Sequence, residues 1–170
     1  DESWRLGLHG DTAVGHLAGD AHDEGAAFAT AMLASRTRRR ARGTRPAPVL
    51  RIAVGEPVVQ VPDPARALGG RMQAFALAAA RVLHDAGDEA EGLHILAAGS
   101  DGRDGPTDAA GAIVDRWTWS RARELGLQAQ QCLVERRSYV ALDAVGATIR
   151  AWETGTNVND LVLGLDLPVR

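Results

Sequence analysis

Three short apolar runs set the limits on what this chain can fold into: VLRIAV over 49–54, LHILAAG over Leu93–Gly99, and LVLGL beginning at Leu161. Each is too short for a helix and rich in the residues that fill sheets, and LHILAAG is apolar throughout, the pattern of a strand covered on both sides. Before and between them lie helix-length stretches dense in alanine. Residues 21 to about 40 place Ala27, Met32 and Leu33 near helical spacing, with Asp20 as N-cap and Asp23 and Glu24 in the first turn. Residues 72–86 build an apolar face from Phe75, Leu77, Ala78 and Val82 and stop at Gly87.

Shorter helices are predicted over 120–126, 128–134 and 138–145, and strands over 58–61 and 147–152, with at most one short strand in 4–20. The stretch 99–111 reads as a glycine and aspartate loop. Strands interleaved with helices imply an α/β fold, a layered sheet with helices on both faces. With four Trp, two Phe and one Tyr in 170 residues, its core must be built mainly from Ala, Val, Leu and Ile.

Composition removes several kinds of function. Hydrophobic residues at 45% and charged ones at 24% exclude disorder as the default state. All 19 basic residues are arginine, so a P-loop lysine, a Schiff base and a lysine general base are excluded from this chain. A net charge of −3 gives no general case for nucleic acid. Arg38, Arg39, Arg40, Arg42 and Arg45 read as a solvated helix end, without the interleaved aromatics of a strand-tracking surface. A single cysteine, Cys132, makes the fold independent of disulfides, and the cytoplasm is the expected compartment. No apolar run approaches the roughly 20 residues that span a bilayer, and the first residues lack the plan of a signal peptide. The chain opens on Asp1 without a methionine, as a processed protein or a piece of a longer one would.

Three loops could carry chemistry. GSDGRDGPTDAAG follows the strand at Leu93 and holds Asp101, Asp104 and Asp108, which can collect a hard cation such as Mg²⁺ or take a proton from a hydroxyl. The same letters serve as turn formers and a cap, and both readings stand. TGTNVND over 154–160 offers hydroxyls, amides and a glycine to a phosphate or carboxylate, or simply folds into Asx- and ST-turns. GGRMQAFAL brings Gly69, Gly70 and Arg71 to a helix N-terminus, where backbone N–H groups and a guanidinium favour an anion. It matches neither a Walker A loop nor GxGxxG. His9, His16 and His22 lack metal-ligand spacing, Cys132 reads as an inert thiol, and Trp117, Trp119 and Trp152 read as packing residues.

Together these loops resemble a known family. GSDGRDGPTDAAGAIVD is similar to the GTDGxDGPTDAAGAxxD signature of the MOFRL domain, the C-terminal domain of class II glycerate 2-kinases, a family also named for hydroxypyruvate reductase. TGTNVNDL and GGRMQAFALA resemble its TGPTGTNVNDL and GGRNQEFALA, and VGEPVVQV its SGGETTVTV. The likeness covers about residues 20–165, and divides the chain into a connector over 1–20 and a MOFRL-like domain over 21–170. It implies ATP- and Mg²⁺-dependent phosphoryl transfer to the 2-hydroxyl of D-glycerate or a related hydroxy acid, in a cleft shared with a Rossmann-like N-terminal domain or subunit. Nucleic acid and membrane are not among the implied partners, and an oligomer is left open.

By motif position, the resemblance implies catalytic roles for Arg71, Asp101, Asp104 and Asp108, with Asp101 and Asp104 on the metal side. It places Gly55, Glu56, Gly69, Gly70, Thr154, Gly155, Thr156, Asn157 and Asn159 around substrate and phosphate. The family's Asn and Glu after GGR are Met72 and Ala74 here, its NDSY is Arg136, Arg137, Ser138 and Tyr139, and its TGP is Ala151, Trp152 and Glu153. These changes, with the missing partner domain and its lysine, imply that the chain alone is not a working kinase. They also leave a second reading, a degenerate MOFRL module used for ligand binding or assembly.

Overall fold

A computed structural model describes residues 9–43, 47–60 and 67–168, with side chains from residue 15 onward. In chain order the elements are β1 (His9–Leu17), α1 (Ala21–Ala41), β2 (Val49–Gly55), α2 (Arg71–Asp85), a 3₁₀ turn (Gly87–Ala90), β3 (Leu93–Gly99), β4 (Ala109–Val114), α3 (Thr118–Glu124), α4 (Ala129–Val134), α5 (Ser138–Ala144), β5 (Thr148–Arg150) and β6 (Asp160–Asp166). One six-stranded sheet has the order β1-β2-β6-β3-β4-β5. The β1–β2 pair is parallel and every other pair antiparallel. The last strand in sequence therefore inserts between β2 and β3, and its first residue, Asp160, pairs with both Gly55 and Gly99.

The core lies between this sheet and two helices. Gly164 of β6 faces Phe28 and Met32 of α1, while α2 packs on β3 and β4. Gly25 has no side chain because a Cβ there would collide with the Phe75 carbonyl, so the two helices touch backbone to backbone. Phe28 and Phe75 then meet as a tilted pair, 5.9 Å between centroids. Residues 72–80 of α2 are buried on every side, because α3, α4 and α5 pack behind it. Alanine fills most of that helix, which is how a chain with so few aromatics closes its core.

The α/β fold expected from the sequence is present, with a one-sided distribution among the described residues. Ile95, Val114 and Gly164, which register on one face, are buried against the helices. Ile52, Leu96 and Leu163, registered on the other face, are half-buried, and Ile113 is 48% exposed. A run apolar at every position cannot reveal which face is covered.

Two strands also differ. Residues 58–60 make no strand: Val58 forms an isolated bridge with Asp20, since β1 and β6 already occupy both edges of β2, and residue 61 lies outside the described residues. Conversely β4 occupies 109–114, partly inside the expected loop, where Gly111 lets its backbone press on Ala97. Of the segment expected as a connector, residues 9–17 form the edge strand β1.

The basic end of α1 is not wholly solvated. Arg36, 4% exposed, donates from Nε to Asp166 Oδ1 at 2.9 Å and from Nη1 to the carbonyls of Glu89 and Glu91 at 2.9 and 2.5 Å. Arg39 pairs with the other Asp166 oxygen. Arg38, Arg40 and Arg42 are exposed, and Arg45 lies outside the described residues. The cluster ties α1 to the end of β6 and to the turn before β3. Replacing Arg36 strands two carbonyls and half of a buried carboxylate, so Arg36→Met should lower unfolding free energy by about 3 kcal/mol, read as a shift in urea midpoint.

Candidate functional site

At one end of the central strands, β2 and β3 finish where β6 begins, which brings the loops at Glu56, Ser100 and Asp160 together beneath the first residue of α2. That residue is Arg71. Its Nε donates to Asp160 Oδ2 at 2.6 Å and Nη2 to Oδ1 at 3.4 Å, while Nη1 lies 3.1 Å from Glu56 Oε1. The Asp160 side chain is 4% exposed, that of Arg71 37% and that of Glu56 59%. Burial raises the pKa of Asp160, Arg71 opposes that rise, and the charges of Glu56 and Asp101 add to it. Burial lowers that of Arg71, but the hydrogen bond and charge of Asp160 outweigh it and the net shift is upward, so Arg71 stays charged.

The three aspartates of the glycine loop have separate fates. Asp101 is exposed and accepts the Arg103 N–H at 3.0 Å, an Asx-turn beside Gly99. Asp104 is 4% exposed; its Oδ1 accepts the Met72 N–H at 3.0 Å and its Oδ2 the Gln73 N–H at 2.7 Å. The anion that suits the N-terminus of α2 is therefore the chain's own carboxylate. Gln73 Nε2 completes the joint by donating to the Asp104 carbonyl and to Thr107 Oγ1. Asp108 is exposed and belongs to another cluster, where it accepts from Tyr139 Oη at 2.5 Å and Arg150 Nη1 at 2.8 Å. Those bonds hold its carboxyl below the usual range.

The expected binding glycines mostly secure packing. A Cβ on Gly70 would collide with Asp104, one on Gly69 with Ser138, and one on Gly55 with Leu17. The 154–159 loop is stitched to Ser100: Thr154 Oγ1 donates to its carbonyl at 2.6 Å, and its hydroxyl accepts the Val158 N–H at 2.8 Å. Gly155, Thr156, Asn157 and Asn159 remain exposed, and Asn159 adopts φ 70°.

Trp152 and Val158, on the loop bonded to Gly102 and Ser100, are 54% and 72% exposed, while Val58 beside Gly19 and Leu68 beside Arg136 are 55% and 37% exposed. Trp152 donates its backbone N–H to the Gly102 carbonyl. Arg136 joins no part of the Arg71 cluster. It stands at φ 56°, where asparagine is better tolerated than arginine, and is held by Gln60, Asp20 and His22. Burial and the Arg136 charge lower the His22 pKa to about 4.

Two residues that build this site were absent from the candidates drawn from sequence. Asp160 stood at the end of the recognised TGTNVND, but only sheet register places it under Arg71. Ser100 stood inside GSDG, and only the fold makes it the anchor of the opposite loop. Among the described residues no three His, Cys, Asp or Glu side chains group as a metal site. Cys132 is buried, which pushes its thiol up. No described helix is long and apolar enough to cross a membrane.

Comparison with known proteins bears on this site. The model of the MOFRL family matches residues 49–160, a span that contains Gly55, Arg71, the aspartate loop and Asp160. The D-glycerate 2-kinase of Thermotoga maritima is 45% identical over 118 residues, 69% of this chain and 27% of that protein. The glycerate 2-kinase of Pyrococcus horikoshii is 37% identical over 164 residues, 96% of this chain and 35% of that one. A crystal structure of glycerate kinase from Thermotoga maritima superposes with a TM-score of 0.82 at 36% identity, covering 97% of this chain and 38% of that chain. The chain thus spans about a third of the length of these relatives.

The environment of Asp104 predicts a pH response. Burial, only partly offset by the Met72 and Gln73 N–H bonds, pushes its carboxyl up to about 6, against about 3.9 in an unfolded chain. Because the folded value is the higher one, its contribution to stability is full below about pH 4 and is lost as pH rises through about 6. Carboxyl-carbon NMR should place the Asp104 midpoint near 6. Asp104→Asn should flatten that part of the pH profile, and because the neutral amide escapes the penalty of ionisation, its cost in stability should be smaller at neutral pH than near pH 4.

Proposed function

The chain belongs to the MOFRL family, and from that premise we propose that it is the MOFRL portion of a glycerate 2-kinase-like phosphotransferase, acting with a Rossmann-like domain or subunit. In this reading the pair transfers a phosphoryl group from ATP to the 2-hydroxyl of D-glycerate or a related hydroxy acid. The observation that carries it is Arg71, a charged guanidinium standing partly open at the meeting point of three loops, oriented by a buried aspartate. Such a group suits the carboxylate or a phosphate oxygen of a small acid, because a planar guanidinium can bind either through two parallel bonds.

In phosphoryl transfer most of the protein's contribution is positioning and charge neutralisation. Arg71 would neutralise and orient the acid, and Asp101, exposed and engaged by the Arg103 N–H through one oxygen alone, would accept a hydroxyl proton. Thr154, Gly155, Thr156, Asn157 and Asn159 would line the facing wall. The exposed Trp152 and Val158, on the loop bonded to Gly102 and Ser100, would supply apolar area for a partner domain to cover.

The residues present do not fit a magnesium ion held by this chain alone. Both oxygens of Asp104 are occupied by N–H donors and Asp108 is paired with Tyr139 and Arg150, which leaves Asp101 as a single ligand. No described loop forms a mononucleotide cradle either, so ATP and its metal belong to the partner in this proposal.

The same commitments favour the second reading, a ligand-binding or assembly module, should no partner restore chemistry. A coupled assay for ADP release from D-glycerate separates the two. Turnover is expected only when the chain is combined with, or fused to, a Rossmann-like partner of the family, and Arg71→Met should reduce kcat/KM at least 100-fold, about 3 kcal/mol of transition-state binding. No turnover in any combination would remove the kinase reading.

A further inference from the structure

We infer that Glu56 is a place-holder, its carboxylate resting on the outward edge of Arg71 in the free protein and giving way to an anionic ligand, while Asp160 is the positioning residue that keeps Arg71 aimed. The inference rests on the proposed role of Arg71 as the group that receives the acid.

The two carboxylates on this guanidinium are unequal. Asp160 sits in the sheet ladder between Gly55 and Gly99 and takes the Nε and Nη2 edge from a buried position. Removing it would leave the inner face of Arg71 without a counter-charge in a place water reaches poorly. Glu56 makes its ion pair at Nη1, 3.1 Å away, from a side chain 59% exposed. Its backbone N–H is fixed on the Leu17 carbonyl at 3.0 Å, so its side-chain torsions alone move the carboxylate away. An exposed ion pair of this kind is weak and screened by salt, and a second carboxylate or a phosphate oxygen competes with it on nearly equal terms.

Charge balance points the same way. Arg71 is the cation of a centre that also holds Asp160, Glu56 and Asp101, whose charges bear on one another. A further anion brought to this centre meets net repulsion unless one carboxylate withdraws. Glu56 is the residue suited to do so, its side chain being more open to solvent than that of Asp160, at 59% against 4%.

The test follows the Arg71 Nε–H signal by ¹⁵N NMR in the chain itself, in Glu56→Gln and in Asp160→Asn, during titration with inorganic phosphate and separately with D-glycerate. Glutamine keeps the size of Glu56 and removes its charge, so phosphate should bind at Arg71 about two- to five-fold more tightly in Glu56→Gln. In Asp160→Asn the affinity should fall, and the slow exchange of the Nε–H should be lost. Equal or weaker phosphate binding in Glu56→Gln, or an Arg71 signal there that phosphate does not move, overturns the place-holder. Tighter phosphate binding with no response to D-glycerate in any of the three proteins upholds the place-holder and removes the glycerate reading. If Asp160→Asn does not fold, the Glu56→Gln arm decides alone.

Discussion

The carboxylate of Asp104 on the N-terminus of α2 is the joint on which the site is built. Helix α2 begins with Gly70 as its N-cap, which offers no side-chain acceptor, so its first N–H groups would be buried without partners. Asp104 reaches across from the β3–β4 loop to take two of them, and Gln73 closes the contact by bonding the loop in return. The joint fixes where α2 starts, and because Arg71 is its first residue, it also fixes where the guanidinium stands above Asp160. Gly70 serves the same contact by leaving room for the carboxylate.

Four aspartates at this rim illustrate how environment divides one chemistry among several tasks. Asp104 is buried among N–H donors and holds structure. Asp160 is buried against a guanidinium and orients it. Asp108 is exposed and locked to a tyrosine and an arginine, and Asp101 is exposed with one turn-forming bond. The two buried carboxyls are pushed upward by lost hydration and the bonded surface one is held down, which is the ordering that desolvation and hydrogen bonding impose.

The departures from the family pattern sort by location. Arg136 sits at a backbone angle better suited to asparagine and is compensated by contacts with Gln60, Asp20 and His22, away from Arg71. Met72 is fully buried in α2 and Ala74 nearly so, which makes both part of the core. Trp152 and Glu153 are exposed beside the aspartate loop, where Glu153 pairs with Arg103, and these two changes alter the surface there.

Much of the fold was legible in the sequence because it depends on local periodicity. The long helices, β2, β3 and the closing strand follow from apolar spacing, caps and breakers, and the three candidate loops follow from glycine and aspartate placement and from motif resemblance. Residues 58–60 and β4 were not legible, since whether a short segment pairs depends on which sheet edges stay open. Tertiary structure alone decided that β6 inserts between β2 and β3, that Asp104 turns inward while Asp101 stays outside, and that Asp160 lies beneath Arg71. Those outcomes rest on contacts between residues 31 to 89 positions apart, and a linear pattern carries no information on which of several chemically identical carboxylates the packed backbone will bury.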